Sequence, residues 1–253
     1  MREVVILGTG NVAFHLFKAF SEAENIQVIQ VYNHRQESLK DFSKFTDTTT
    51  SINELKPAHF YILALKDDII PEIAEQLKNY RGIILHTSGA VGLNALESVT
   101  NFGVFYPLQT FSKNKYVDFA KIPVCIEANS SENLERISAL ASGISKDVRE
   151  IDSEQRKALH VAAVFVNNFS NHLYSIGAEI CAENKIEFSI LKPLIAETAI
   201  KIESLKPQEA QTGPALRNDQ KTIETHLEFL NKKNKDIYSL LTHSIQNLHG
   251  KKL

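Results

Sequence analysis

Val4-Val5-Ile6-Leu7-Gly8-Thr9-Gly10-Asn11-Val12-Ala13 is the stretch that decides the fold. Four apolar residues in a row read as a strand buried on both faces. A G-x-G-x-x-A turn follows, and Ala13, Leu16, Phe17 and Phe20 then recur at helical spacing. Each position of the turn has a physical job. Gly8 permits the tight turn, Gly10 lets backbone approach a pyrophosphate, and Ala13 keeps helix and strand close. The helix start supplies free amides and a positive dipole end for phosphate oxygens. Gly8, Thr9, Gly10, Asn11, Val12 and Ala13 are therefore expected to hold a dinucleotide. A tight turn on a sheet that has lost its cofactor is the competing reading.

Outward from that turn, short apolar runs alternate with helical patterns, the rhythm of a parallel sheet covered by helices. Ile26 to Tyr32, Phe60 to Leu65, Ile83 to Leu85 and Val104 to Tyr106 read as further strands. Val124 to Ile126 and Val148 to Ile151 read as edge strands. After about Asp152 the strand-like runs vanish. Asp152 or Ser153 can cap a helix running to about Ala182. Its middle, Ala158 to Phe169, is apolar on most sides, so burial by its own domain or by a second subunit is expected. Further helices follow Ser189, with Pro193 in the first turn, and Asn218 or Asp219; a last one places Ile237, Leu241, Ile245 and Leu248 on one face. The expected architecture is an α/β Rossmann domain with a mostly parallel, doubly wound sheet (1–151), followed by an all-helical C-terminal domain (152–253) for substrate and dimerisation.

The 253 residues include 43% hydrophobic and 23% charged, which excludes a disordered or collagen-like chain. A net charge of −2 gives no electrostatic reason to expect nucleic acid or a membrane surface as partner. Two cysteines, Cys125 and Cys181, are too few for a disulfide framework. No run of apolar residues is long enough to span a bilayer, and no signal peptide precedes the first strand, so a cytoplasmic setting is expected. The nine histidines show no metal-ligand spacing, so no metal is expected, and neither a G-x-S-x-G elbow nor a P-loop is present.

The second strand ends at Tyr32-Asn33-His34-Arg35. An NAD site usually offers a carboxylate here for the ribose 2′-hydroxyl. Asn33, His34 and Arg35 instead donate hydrogen bonds and suit a 2′-phosphate, which points to NADP. Ligands of open α/β sheets bind outside the carboxyl ends of the strands. Three further segments leave that edge: Ala64-Leu65-Lys66, where a small residue lets the cofactor pass; His86-Thr87-Ser88-Gly89-Ala90, where nicotinamide or substrate can sit; and Tyr106-Pro107-Leu108-Gln109-Thr110-Phe111. Each can equally be turn chemistry. In the helical half, His160 and Asn168 fall near one face of an apolar helix. A polar pair buried there needs partners, either protein groups or a ligand. His160, Asn168, His86 and Ser88 are the candidate catalytic residues, with His160 as proton donor or relay. Thr212-Gly213-Pro214 and Arg217-Asn218-Asp219 form a polar break, read as a lid or a loop with a cap.

Taken together, these segments resemble a bacterial family that joins a Rossmann-like domain to a helical C-terminal domain of unassigned function. Its members are described as NADP oxidoreductases. The resemblance is carried by the glycine turn with His15-Leu16, His86 to Ala90, Pro107 to Phe111, Ala158 to Ala163, and Thr212-Gly213-Pro214 with Arg217 and Asp219. Many members carry His and Gly where Tyr106 and Asn218 stand here. More distantly, the layout is similar to pyrroline-5-carboxylate reductases, ketopantoate reductases and β-hydroxyacid dehydrogenases. Those families imply NADP-dependent hydride transfer and dimerisation through the helical domain. The last two use a lysine on the first long helix after the sheet; His160 to Asn168 contains none.

The expectation is an NADP(H)-dependent oxidoreductase acting on a small carbonyl, imine or hydroxy compound in a cleft between the domains, assembled as a homodimer. The competing class is a non-catalytic NADP-binding sensor or scaffold that dimerises through its helices. The missing lysine favours the scaffold, and the His160–Asn168 pair favours the enzyme. A plain interaction module survives only if the glycine turn is vestigial.

Overall fold

A computed structural model describes residues 1–249. In chain order the elements of the α/β part are β1 (Arg2–Leu7), α1 (Asn11–Glu22), β2 (Ile26–Tyr32), β3 (Asp47–Thr49), β4 (Phe60–Leu63), α2 (Ile70–Gln76), β5 (Ile83–His86), β6 (Phe102–Pro107), β7 (Val124–Ala128), α3 (Ser131–Ala141) and β8 (Val148–Glu150). They form one eight-stranded sheet of order β3-β2-β1-β4-β5-β6-β7-β8. All neighbours run parallel except β6 and β7. The order reverses between β1 and β4, so the glycine turn sits at the switch point of a Rossmann-type sheet.

Period-two side-chain alternation divides the core into two layers. Val4 and Ile6 of β1 face a cluster with Leu16 and Phe20 of α1 and Ile137 and Leu140 of α3. Val5 and Leu7 face the opposite cluster with Ile70, Ile73 and Ala74 of α2. Helices cover both faces, which explains why the central strands read as unbroken apolar runs.

One expectation needs correction at the edges. Val124 to Ile126 lies inside the sheet, because β7 pairs with both β6 and β8; only β8 is an edge on that side. The opposite edge is β3, whose Asp-Thr-Thr sequence carries no apolar run to announce it.

The remaining elements are α4 (Ser153–Ala163), a π-helical segment (Val164–Phe169), α5 (Ser170–Glu183), α6 (Lys192–Lys201), the short α7 (Pro207–Ala210), α8 (Gln220–Phe229) and α9 (Lys232–His249). Asp152 caps α4 through a reciprocal capping box with Gln155, Pro193 sits in the first turn of α6, and Asp219 caps α8. Contacts divide the chain into compact units at Met1–Asn167 and Asn168–Leu253. The sequence rhythm changes at Asp152, but the first turns of α4 remain part of the α/β unit, held by Arg156 and Ser153.

The expected burial of the apolar helix is not met within the chain. Val161 and Val166 are 53% and 76% exposed. Among the described residues, no helix is long and apolar enough to cross a membrane.

Candidate cofactor and proton-transfer site

The carboxyl ends of β1, β4, β5 and β6 line up along one edge, and the predicted segments leave from it in that order. Gly8 has φ +120°, and a Cβ there would lie 2.2 Å from the Ala64 carbonyl oxygen. Only glycine lets the β1 and β4 turns approach so closely. Gly10 differs. A Cβ there would meet nothing within 4 Å. Gly10 is also the N-cap of α1 and provides no side-chain cap, so the first-turn amides of Asn11, Val12 and Ala13 lack a side-chain acceptor. Room for close approach, free donors and a positive dipole end together suit a pyrophosphate.

Asn33 ties the end of β2 to this turn, its Nδ2 donating to Thr9 Oγ1 at 2.8 Å. Its Oδ1 accepts the Arg35 backbone N–H at 2.9 Å. His34 and Arg35 are exposed, and among the described residues Arg35 makes no ion pair. Ala64 and Leu65 are half-buried and Lys66 is exposed. Phe111 belongs to the core and lies 5.0 Å from the His15 ring, while His15 Nε2 is 3.0 Å from the Ser112 carbonyl. The long β6–β7 connection is thereby fastened onto α1.

The four proposed catalytic residues occupy very different settings. His86 ends β5 and is fully buried. Its Nδ1 accepts the Ser88 N–H at 3.2 Å, which leaves the proton on Nε2, an atom with no hydrogen-bond partner among the described residues. Burial lowers its pKa to about 3, with the Arg156 guanidinium adding to the effect and the Gly92 backbone opposing it. His86 is a neutral imidazole that shapes the loop. Ser88 is also buried, and its Oγ accepts the backbone N–H groups of Ala90 and Val91, both at 3.1 Å. Asn168 is exposed in the π-helical segment, and His160 is half-buried. The expected pair on a buried face is therefore not observed.

His160 instead meets Tyr106. Their Nδ1 and Oη atoms are 3.3 Å apart, with the rings edge-to-face at 68°. Gly89 packs over both. Burial raises the Tyr106 pKa; Cys125 adds to this and Arg156 opposes it.

Sequence reasoning missed the network beneath. Arg156 is 1% exposed. It donates to Glu127 Oε2 at 2.5 Å, to the Val91 carbonyl at 2.7 Å and to Ser153 Oγ at 3.2 Å. Ser153 Oγ donates to Glu127 at 2.8 Å and accepts the Leu93 N–H at 2.9 Å. Partners 29 and 65 positions from Arg156 carry no local signal. An arginine on an otherwise polar first turn reads as a solvated surface residue.

In the helical unit, Asn218 has φ 53°. Asparagine tolerates this left-handed conformation better than other non-glycine residues. Its Oδ1 accepts bonds from Gln220 and Gln246.

These features define a Rossmann-like protein with a helical C-terminal region. Residues 122–245 match a domain of unknown function (DUF2520). The putative NADP oxidoreductase BF3122 from Bacteroides fragilis is 40% identical, with 99% of this chain and 98% of that one covered and a TM-score of 0.90. The chain belongs to that family. Protein TM1727 from Thermotoga maritima shares the fold at 17% identity and a TM-score of 0.74, covering 97% of this chain and 98% of that one. So does a 1-pyrroline-5-carboxylate reductase from Streptococcus pyogenes, at 13% identity, 98% coverage of both chains and a TM-score of 0.66. No curated protein sequence matches significantly.

Proposed function

We propose that this protein is an NADP(H)-dependent oxidoreductase acting on a small carbonyl, imine or hydroxy compound. The observation that carries the reading is the glycine turn: a left-handed Gly8, open space at Gly10 and an uncapped α1 at the switch point of the sheet. Membership of the BF3122 family supports it. Backbone groups from Gly8 to Ala13 hold the pyrophosphate, Asn33, His34 and Arg35 meet the 2′-phosphate, and Ala64, Leu65 and Lys66 flank the cofactor. When bound, the reduced nicotinamide supplies hydride; the chain supplies position and a proton. His160 is the proton-transferring residue, while His86 and Ser88 shape the loop beside it.

Calorimetric titration with NADPH and NADH tests the reading. NADPH is expected to bind, and Arg35→Ala to weaken it about ten- to hundredfold, the worth of one charge-assisted contact, while sparing NADH. Failure of both nucleotides to bind at millimolar concentration overturns the proposal. A scaffold would bind NADPH but turn over no carbonyl or imine, and His160→Ala would leave it unchanged.

A homodimer belongs to the same proposal. Ile190, Leu194 and Ile200 are 69%, 64% and 57% exposed around α6. A second copy of the chain provides the apolar cover that one copy does not.

A further inference from the structure

We propose that His160 acts through Nε2, and that Tyr106 and Gly89 direct it to do so. The phenol hydroxyl backs Nδ1, and the Gly89 backbone roofs their contact. This rests on reading the carboxyl edge as a hydride-transfer site.

A Cβ on residue 89 would stand 2.7 Å from His160 Nδ1, 2.7 Å from Tyr106 Cζ and 2.9 Å from its Oη. The loop therefore closes over the pair only because residue 89 has no side chain. That covered side offers a ligand no room, so the ring nitrogen left to meet one is Nε2. Among the described residues, His160 Nδ1 is the hydrogen-bond partner of the Tyr106 hydroxyl. Burial keeps the phenol protonated at neutral pH, so it has an O–H to donate. Nδ1 accepts it, and the neutral imidazole carries its own proton on Nε2. At 3.3 Å the bond is long, as catalytic hydrogen bonds often are before a ligand tightens them.

A neutral imidazole alone is a poor acid, because losing the Nε2 proton would leave an imidazolate. The hydroxyl behind Nδ1 removes that obstacle. In the reducing direction, a bound reduced nicotinamide would supply hydride to the carbonyl or imine carbon, leaving the electron pair of the π bond on oxygen or nitrogen. That atom takes the Nε2 proton while Nδ1 takes the phenol proton. The ring stays neutral, and the phenolate, eased by the Arg156 guanidinium, then takes its proton back from Nδ1 as Nε2 takes one from water. For a carbonyl, the exchange trades a strongly basic alkoxide for a less basic phenolate, a gain that the upward shift of Tyr106 reduces. Tyr106 never touches the substrate; it is a positioning residue that acts through His160.

The first test uses the free protein. In ¹⁵N spectra of histidine-labelled wild type, neutral His160 should show an unprotonated Nδ1 displaced by a hydrogen bond. Tyr106→Phe should shift that resonance toward the value of an acceptor facing water. A protonated Nδ1 in the wild type, or an unmoved one in Tyr106→Phe, overturns the assignment. The second test follows NADPH binding and NADPH-coupled reduction of a panel of aldehydes, 2-oxo acids and cyclic imines. Tyr106→Phe should leave NADPH affinity unchanged and lower kcat about a hundredfold, with partial recovery in Tyr106→His. An undiminished kcat overturns the relay. If wild type fails to bind NADPH, the oxidoreductase reading falls, whereas an unmoved Nδ1 resonance removes only the Tyr106–His160 assignment.

Discussion

Alanine at Gly8 and at Gly10 should have opposite effects, although the two glycines stand two residues apart in one motif. Gly8 has φ +120°, and the added Cβ would approach the Ala64 carbonyl oxygen to 2.2 Å. The conformation costs an L-residue about 1 to 3 kcal/mol. Forcing the β1 and β4 turns apart adds about 1 to 3 more. A loss of about 2 to 6 kcal/mol, at about 2 to 4 °C for each, lowers Tm by roughly 4 to 24 °C. Gly10 has φ −72° and open space where the methyl group would lie. There the backbone gain from replacing glycine, about 0.4 to 1 kcal/mol, is offset by the poorer N-cap, so stability should barely move. The methyl group instead occupies the approach to the α1 amides, and NADPH affinity should fall at least about tenfold, or 1.4 kcal/mol. Thermal melts and calorimetry on the two variants separate the effects. If Gly10→Ala binds NADPH like wild type, the open space is not the pyrophosphate site. If Gly8→Ala melts like wild type, the close approach of the two turns does not constrain residue 8.

Removing Arg156 breaks an ion pair with its cation fully buried, so Arg156→Ala should cost about 3 to 5 kcal/mol in urea unfolding. A change near zero would show that Glu127 and the Val91 carbonyl find other partners. His86 predicts a pH dependence. Its folded pKa, about 3, lies below its ordinary 6.5, so the unfolded chain takes up a proton first. Its contribution is full above about pH 6.5 and is lost as pH falls toward 3, reaching about 2 to 3 kcal/mol between about pH 7.5 and pH 4.5. His86→Asn should flatten that part of the stability profile, and parallel profiles for variant and wild type would refute it. Sedimentation should find a dimer that Leu194→Glu weakens; a wild-type monomer at micromolar concentration removes the dimer from the proposal.

Legibility in the sequence followed the range of the interactions. Turn chemistry and strand burial are local, so β1, the glycine turn, β2 and the Asp152 cap could be read from neighbouring residues alone. β3 could not, because a three-residue edge strand with one buried side chain has no apolar run to betray it. His160 stands out in the sequence as a histidine on an apolar helix, with Asn168 as its apparent partner eight residues on. Its contact is with Tyr106, 54 residues back, and that pairing follows from where β6 ends relative to α4. The long helix left its cover open for a related reason. Apolar composition announces that burial is needed, but it does not say whether the cover comes from the same chain.

Arg156 and His160 are four residues apart on α4 and therefore share a face. Both grip the loop that follows β5: Arg156 holds the Val91 carbonyl from within the core, and His160 lies under Gly89 beside Tyr106. The dehydrogenase resemblance implies a lysine on the first long helix after the sheet, and none stands between His160 and Asn168. Here the cation one turn before His160 is spent on structure, fully buried and bonded to Glu127. Its charge still reaches the site, because it opposes the upward shift of Tyr106 and helps keep His86 neutral. The lack of a lysine between His160 and Asn168 is thus no argument against proton transfer. A buried guanidinium that fixes the loop and eases phenolate formation lets a Tyr–His pair deliver a proton without any cation touching the substrate. Arg156→Met, which keeps bulk but removes charge, should on this reasoning impair turnover beyond what its loss of stability explains. A variant that, once folded, turns over like wild type would confine Arg156 to a structural role.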